Sequence, residues 1–356
     1  MEKKQVIHIK NTRPKALIIV GPTASGKSAL AIELAKKFSG EIVNADSRQV
    51  YKGMYVGTAS PIQNQKSKIK NQKLENRKVF QPRATRGASD ASASPEPKAR
   101  GQGHKSKIKK TISIVDGIPH HLFHFIPPDQ YFSVADYKKL AIKKIRDIAR
   151  RGKTPFLVGG TGLYIWAVVD NLDIPRVPPK HALRTKLERR SVQELYTELK
   201  KRDPEAALLT GLNKRRIIRA LEVIAVTGKK FSEQRRSGAP LFETLQIGLR
   251  VPLQELDRRI EARARDMLER GFLDEIETLL QTYPPGLPAF TALGYRHFIQ
   301  YLQGELALKD ATYQLIRSHK QLARRQLRWL KRDNRILWFP PDSPRIEAAA
   351  KRFLSS

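Results

Sequence analysis

The chain has no cysteine in 356 residues. That excludes a disulfide framework and any zinc site built on cysteine, and it suits a reducing compartment. Long apolar runs are missing too. No stretch approaches the ~20 residues a membrane-spanning helix needs. The start, Met1 to Gln5, is charged and lacks a signal-peptide core, so a soluble, cytoplasmic protein is expected. Acidic residues are scarce: 34 Asp and Glu stand against 68 Lys and Arg, a net charge of +34. Residues 62–114 hold 14 basic and 3 acidic side chains, and the rest of the chain still carries +23. A small-metabolite enzyme has little use for such a field. A polyanion, most simply nucleic acid, is the partner it implies.

Against these absences stands one dense motif, Gly21-Pro22-Thr23-Ala24-Ser25-Gly26-Lys27-Ser28. An apolar run, Ala16 to Val20, precedes it and reads as a buried strand. Leu30, Ala31, Leu34, Ala35 and Phe38 follow at helical spacing. Strand, glycine loop and helix together form the context of a phosphate-binding loop. Its backbone N–H groups and the positive helix end would cradle a diphosphate or triphosphate, such as that of ATP. Lys27 adds a charge and Ser28 a hydroxyl for magnesium.

Asp46 falls at the end of the next strand, where open α/β sheets place ligands. A carboxylate there serves as a magnesium contact or as a general base. A second loop, Gly159-Gly160-Thr161-Gly162, follows another strand, and its glycines predict close backbone approach. A helix with Leu256, Ile260 and Met267 on one face carries Arg263 on the same stripe. That arginine either points inward to an anion or snorkels at the edge. Arg215 and Arg219 line one face of a helix whose Ile217, Leu221 and Ile224 line another. Tyr295 reads as an exposed aromatic beside Arg296. Near the end, Arg317, Lys320, Arg324, Arg328 and Lys331 form a basic stripe that argues for phosphate contacts.

The expected fold is α/β, a P-loop NTPase-like parallel sheet flanked by helices, with an inserted helical subdomain. Residues 1–175 and 244–345 form the core, residues 176–243 the helical part and 346–356 a tail. Residues 62–114, with Lys-Ser-Lys-Ile-Lys twice around a low-complexity middle, read as a disordered insertion, more an inert expansion than an RNA grip. Order is expected to return at Gly117. Ser133 with Asp136 reads as a helix start.

In order along the chain stand the phosphate loop, Asp46-Ser47-Arg48-Gln49-Val50-Tyr51, Gly57-Thr58-Ala59 and Pro119-His120-His121-Leu122. Gly159 to Tyr164, Arg219-Ala220-Leu221-Glu222-Val223, Gly294-Tyr295-Arg296 and Ala323-Arg324-Arg325-Gln326 follow. This series resembles the tRNA dimethylallyltransferases of bacterial type, over nearly the whole chain except 62–114. The resemblance implies transfer of a dimethylallyl group from dimethylallyl diphosphate to N6 of the adenosine 3′ of the anticodon, with Mg2+ as cofactor and the tRNA anticodon stem-loop as partner. It implies that residues Gly21 to Ser28 hold the diphosphate, that Asp46 is the general base, that Thr161 orients the reacting centre and that Arg263 meets the diphosphate. By the same resemblance Asp46, Ser47, Arg48, Gln49, Arg184, Arg215, Arg216, Ile217, Ile218, Arg219, Thr291, Gly294, Tyr295 and Arg296 touch tRNA. A monomer is expected. The long insertion departs from the family, and the zinc-finger extension of eukaryotic members is absent. The alternatives are a P-loop kinase of a small molecule, an adenylate isopentenyltransferase, and an RNA-binding NTPase without transferase activity.

Overall fold

The computed structural model describes residues 13–62, 112–234 and 237–356. The elements in chain order are β1 (Lys15–Val20), α1 (Lys27–Lys37), β2 (Gly40–Asn44), β3 (Ser113–Val115), β4 (Ile118–His121), α2 (Val134–Arg150), β5 (Thr154–Gly159) and α3 (Gly162–Val169). Then come α4 (His181–Glu188), α5 (Val192–Arg202), α6 (Pro204–Thr210), α7 (Lys214–Thr227), β6 (Glu243–Leu249), α8 (Leu253–Glu269) and α9 (Phe272–Leu280). The chain closes with α10 (Tyr295–Leu302), α11 (Leu308–Leu330), β7 (Ile336–Phe339) and α12 (Arg345–Ser355).

Two compact units result. The first holds the described residues of Met1–Phe132, together with Leu140–Ile165 and Phe242–Ser356; the second holds Ser133–Lys139 and Trp166–Leu241. The expected helical part, 176–243, thus begins earlier along the chain, within α3, and also takes in the start of α2.

In the first unit, seven strands run in the order β3-β4-β2-β5-β1-β6-β7. All neighbours are parallel except β3 and β4. The sequence of β1 explains its place inside the sheet, between β5 and β6. Ala16 to Val20 are buried without exception, as a strand covered on both faces requires. Leu17, Ile19, Phe156, Val158, Ile247 and Leu249 pack on Leu30, Ala31 and Leu34 of α1. Because β1, β2 and β5 are parallel, the loops after them all leave from one edge of the sheet. The phosphate loop, Asp46 and Thr161 sit on those three loops.

A second core lies among α8 to α11, where Phe272 meets Tyr295 edge-on at 5.0 Å and Phe298 at 5.3 Å. Met54 is buried in it, which ties the loop following Asp46 to these helices. The expected insertion, 62–114, lies mostly outside the described residues. Its end is corrected: Ser113 to Val115 pair with β4 as an antiparallel edge strand. Pairing, not an apolar run, makes that strand, since Ile114 is largely exposed.

The second unit is helical. Leu195, Leu199, Ala206, Ala207, Ile217, Ile218 and Leu221 form its core. The starts of α5, α6 and α7 are capped by side chains: Ser191 and Glu194 exchange bonds as a capping box, Asp203 accepts from Ala206 N–H, and Asn213 accepts from Arg216 N–H. Each such cap contributes about 1 kcal/mol. Ser133 and Asp136 make the same reciprocal exchange at the start of α2.

Candidate active site

The phosphate loop turns into α1 at Gly26, whose φ of +93° is left-handed. A side chain there would be strained, so glycine is required. Ser25 is buried and Ser28 exposed. Lys27 is half-buried, and its Nζ donates to the Pro22 carbonyl at 2.6 Å. Burial first, and then the neighbouring Arg263 charge, push the Lys27 pKa down to about 7; Asp46 pulls the other way. Arg263 reaches the loop from α8 and donates to Thr23 Oγ1 at 3.2 Å. It therefore faces inward, and burial holds its pKa below the ordinary guanidinium value. Two cations brought to one glycine loop at the start of a helix suit a multiply charged anion.

Asp46 sits in a tight turn. Its N–H donates to Asn44 Oδ1 at 2.8 Å, and its Oδ1 accepts from Arg48 N–H at 2.8 Å. Asn44 Nδ2 donates to the Asp46 and Leu122 carbonyls, both at 3.0 Å. The carboxylate is thus oriented by backbone contacts rather than by an ion pair. Thr161 is pinned beside it: its N–H donates to Ala45 O at 3.2 Å, and its Oγ1 accepts from Ser47 N–H at 3.0 Å.

The glycines of the second loop do make close approaches, each to this protein's own groups. A Cβ on Gly159 would overlap the Ala45 carbonyl, one on Gly160 the Gln326 amide, and one on Gly162 the Trp329 ring. Gln326 stands out among these neighbours. Its Oε1 accepts from Thr23 N–H at 2.8 Å, and its Nε2 donates to Gly160 O at 3.0 Å. Sequence reasoning gave this residue no role, since its partners lie 303 and 166 residues away.

Glu275 was missed as well. Its carboxylate accepts from Tyr55, Val56 and Gly57 N–H at 2.7, 2.7 and 3.0 Å and from Tyr295 Oη–H at 2.6 Å. Burial outweighs these four bonds and holds its pKa above the usual carboxylate value. The signal was present, for Glu275 lies at helical spacing from the buried Phe272 and Leu279.

The expected tRNA contacts lie in differing surroundings, and one reading, the exposure of Tyr295, is corrected. Tyr295 is fully buried, not exposed, and its hydroxyl is spent on Glu275. Ile217 and Ile218 belong to the helical core. Arg184 and Arg219 both bond to the buried carboxylate of Glu222. Gln49 donates to the Thr58 and Ala59 carbonyls at 3.1 and 3.3 Å. In the terminal stripe, Lys320 pairs with Glu261 at 2.6 Å and Arg324 with Asp257 at 2.9 Å. Arg215, Arg216, Thr291 and Arg296 are exposed, Ser47 and Arg48 half-buried, and Gly294 buried at the start of α10. Among the described residues, no group of three or more His, Cys, Asp or Glu is gathered as a metal cluster, and no helix is long and apolar enough to cross a membrane.

Comparison with known proteins finds relatives over nearly the whole chain. A family model described as IPP transferase matches residues 107–333, and one described as isopentenyl transferase matches residues 14–90. The chain is 39% identical to a tRNA dimethylallyltransferase of Roseiflexus sp. (strain RS-1), covering 94% of this chain and 95% of that one. It is 36% identical to the tRNA dimethylallyltransferase of Heliobacterium modesticaldum, covering 92% and 90%. The crystal structure of a tRNA isopentenylpyrophosphate transferase from Bacillus halodurans matches with a TM-score of 0.62 and 31% identity, covering 96% of both chains. A eukaryotic dimethylallyltransferase acting on tRNA matches with a TM-score of 0.70 and 26% identity, covering 96% of this chain and 80% of that one.

Proposed function

The chain belongs to the tRNA dimethylallyltransferase family, and from that premise we propose how its residues carry the reaction. The protein transfers a dimethylallyl group from dimethylallyl diphosphate to N6 of the adenosine 3′-adjacent to the anticodon of tRNA. The C1–O bond to the diphosphate breaks, the N6–C1 bond forms, N6 loses a proton, and diphosphate leaves.

The exocyclic amine of adenine is a weak nucleophile, so the reaction needs two aids. One is a base for the amine proton; the other is positive charge to stabilise the departing diphosphate. Asp46 is the base. Residues Gly21 to Ser28 hold the diphosphate, with Lys27 and Arg263 supplying charge and Thr161 fixing the acceptor side. The observation that carries this reading is geometric: Arg263 reaches the Lys27-bearing loop by its bond to Thr23 Oγ1 at 3.2 Å, while Asp46 and Thr161 stand on the neighbouring strand-end loops, joined through Ser47 N–H at 3.0 Å. Anion-binding and proton-accepting groups are adjacent there.

The donor set suits magnesium that is held mainly by the substrate. Such an ion takes few protein ligands and keeps several waters. Ser28 offers an exposed hydroxyl beside Lys27. The ion would help neutralise the diphosphate.

Exposed cations bind the tRNA backbone: Arg215 and Arg216 on α7, and Arg296 on α10. The target adenine must leave the anticodon-loop stack to reach a closed site. The enzyme acts in the cytoplasm as a monomer.

Incubation with labelled dimethylallyl diphosphate plus tRNA, AMP or neither tests the reading. Label in tRNA supports it. Label in AMP alone would instead indicate an adenylate isopentenyltransferase, and label in neither would sink both.

A further inference from the structure

We propose that Gln326 is a positioning residue that sets the spacing between the diphosphate loop and the acceptor-side loop. The inference rests on the reading of the site just given. Two strand-end loops carry the two halves of the reaction. Thr23 belongs to the loop after β1, which holds the leaving group. Gly160 precedes Thr161 on the loop after β5, which faces the acceptor through Ser47 and Asp46. One amide joins them, at 2.8 Å on one side and 3.0 Å on the other. Its orientation is chemically fixed, because a backbone N–H can only donate and a carbonyl can only accept.

The joint is built from both sides. A Cβ on Gly160 would collide with the Gln326 amide, so the glycine is what admits it. One turn further along α11, the Trp329 ring fills the space a Cβ on Gly162 would need. Helix α11 is therefore seated into the second loop at two points, and Gln326 extends that seat to the first loop. Through Thr23 the link continues to Arg263, whose guanidinium donates to Thr23 Oγ1. Through Thr161 it continues to Ser47 N–H, next to Asp46. The donor charge and the acceptor base are thus connected by one side chain that need touch neither substrate. Alkyl transfer requires the allylic carbon and the amine in near-attack geometry. A misplacement of about an ångström costs on the order of a hundredfold in rate.

The test compares the full chain with Gln326→Met, which keeps length and volume but neither hydrogen bond, and with Gln326→Glu, which keeps only the acceptor. Amide hydrogen exchange reads the joint without reference to catalysis. Faster exchange in both loops of Gln326→Met, residues 21–25 and 159–163, supports the joint; unchanged exchange in both overturns it. Kinetics read the role. The expectation is a kcat lower by about 10- to 100-fold, with KM for dimethylallyl diphosphate and affinity for tRNA within about threefold. Gln326→Glu should fall between. Unchanged kcat in Gln326→Met overturns the proposal. So does a loss of activity that only follows a lowered Tm and affinity, since that marks a structural role. Gly160→Ala should reproduce the kcat loss, and the double variant should lose no more than either single one; additive losses count against the joint. If the unaltered protein fails to label tRNA, the functional reading fails by itself, while exchange still decides whether the joint exists.

Discussion

Arg184 closes on Glu222 with two parallel hydrogen bonds, Nε to Oε1 at 2.8 Å and Nη2 to Oε2 at 2.7 Å. Arg219 adds a bond to Oε2 at 2.6 Å, and Lys180 N–H adds one to Oε1 at 2.7 Å. The carboxylate is fully buried, and both guanidiniums are about a third exposed. Four donors on one buried carboxylate hold α4, α7 and the segment at Val177 together, since Arg219 also donates to Val177 O. Glu222→Ala would take the buried carboxylate away from two half-buried cations. It should cost about 3 kcal/mol, the low end of the range for broken buried pairs, because solvent screens the arginines. The hydrogen bonds and the arginines outweigh desolvation and hold the Glu222 pKa below the ordinary value. The unfolded chain therefore binds more protons. This contribution is present above the unfolded carboxylate pKa and is lost as pH falls through the lowered folded value. Thermal melts of Glu222→Ala and the parent should converge as pH is lowered through that window. A gap that stays constant down to the lowest pH would show that the effect is packing rather than charge.

The same geometry separates two kinds of arginine on α7. Arg219→Ala should lower Tm and leave the salt dependence of tRNA affinity unchanged. Arg215→Ala and Arg216→Ala should leave Tm alone and make the log–log slope shallower by up to about one unit each. Titrations at several salt concentrations check both. A shallower slope for Arg219→Ala would return that residue to the nucleic-acid contacts.

Arg324 behaves like Arg219 rather than Arg215. Its guanidinium meets Asp257 of α8 while remaining nearly half exposed. Arg324→Ala should therefore cost less than about 1 kcal/mol and leave the salt slope as it was. A loss of one phosphate contact in the same titration would contradict this.

What was legible in the sequence was local. β1, the glycine loop and α1 could be read because strand hydrophobicity, turn chemistry and helical spacing all act within ~20 residues. Asp46 and Thr161 could be placed because parallel strands deliver their ends to one edge. Long-range pairing hid the rest. A charge stripe on α11 gives no sign that α8 opposes it with Asp257 and Glu261. Arg219 in a basic run looks free until Glu222 is found buried three residues on. Tyr295 is different: with Phe298, Ile299 and Leu302 it completes an apolar helical stripe, so its burial could have been read. β3 could not, since three residues become a strand only by pairing with β4.

Lys27 gives the site a pH dependence of definite sign. Its pKa of about 7 in the free protein, lowered mainly by burial and by Arg263, means that half the molecules lack this charge near neutrality. A bound diphosphate restores the preference for the charged form. Lys27 should therefore take up more of a proton on binding at pH 8 than at pH 6, over and above the protons that inorganic diphosphate itself exchanges, an amount the Lys27→Met variant reads at the same two pH values. Calorimetry in buffers of different ionisation enthalpy measures the proton directly. A net proton exchange at pH 8 equal to that of Lys27→Met would remove Lys27 from this role. Stability runs the other way. Between about 7 and the unfolded lysine pKa the unfolded chain binds more protons, so the Lys27 contribution makes the folded state more stable as pH rises.

Asp46 can act as a base or as a magnesium contact, and one substitution separates the two. Asp46→Asn keeps an oxygen to accept from Arg48 N–H, as Oδ1 does at 2.8 Å, and keeps the turn made with Asn44. It removes proton acceptance and one negative charge. Asp46 raises the Lys27 pKa, so its loss makes Lys27 slightly easier to deprotonate; it also removes a charge that repels diphosphate. These two effects oppose each other, and KM for dimethylallyl diphosphate should change by no more than a few-fold. Turnover is different. Without a proton acceptor for the adenine amine, kcat should fall by about two orders of magnitude or more, with tRNA affinity little changed. A magnesium contact would give another pattern: KM for dimethylallyl diphosphate would rise, and added Mg2+ would recover much of the activity. Steady-state kinetics of Asp46→Asn over a range of Mg2+ concentrations, with tRNA saturating, distinguishes them. A low kcat that magnesium does not restore assigns the proton to Asp46; recovery by magnesium assigns the carboxylate to the metal.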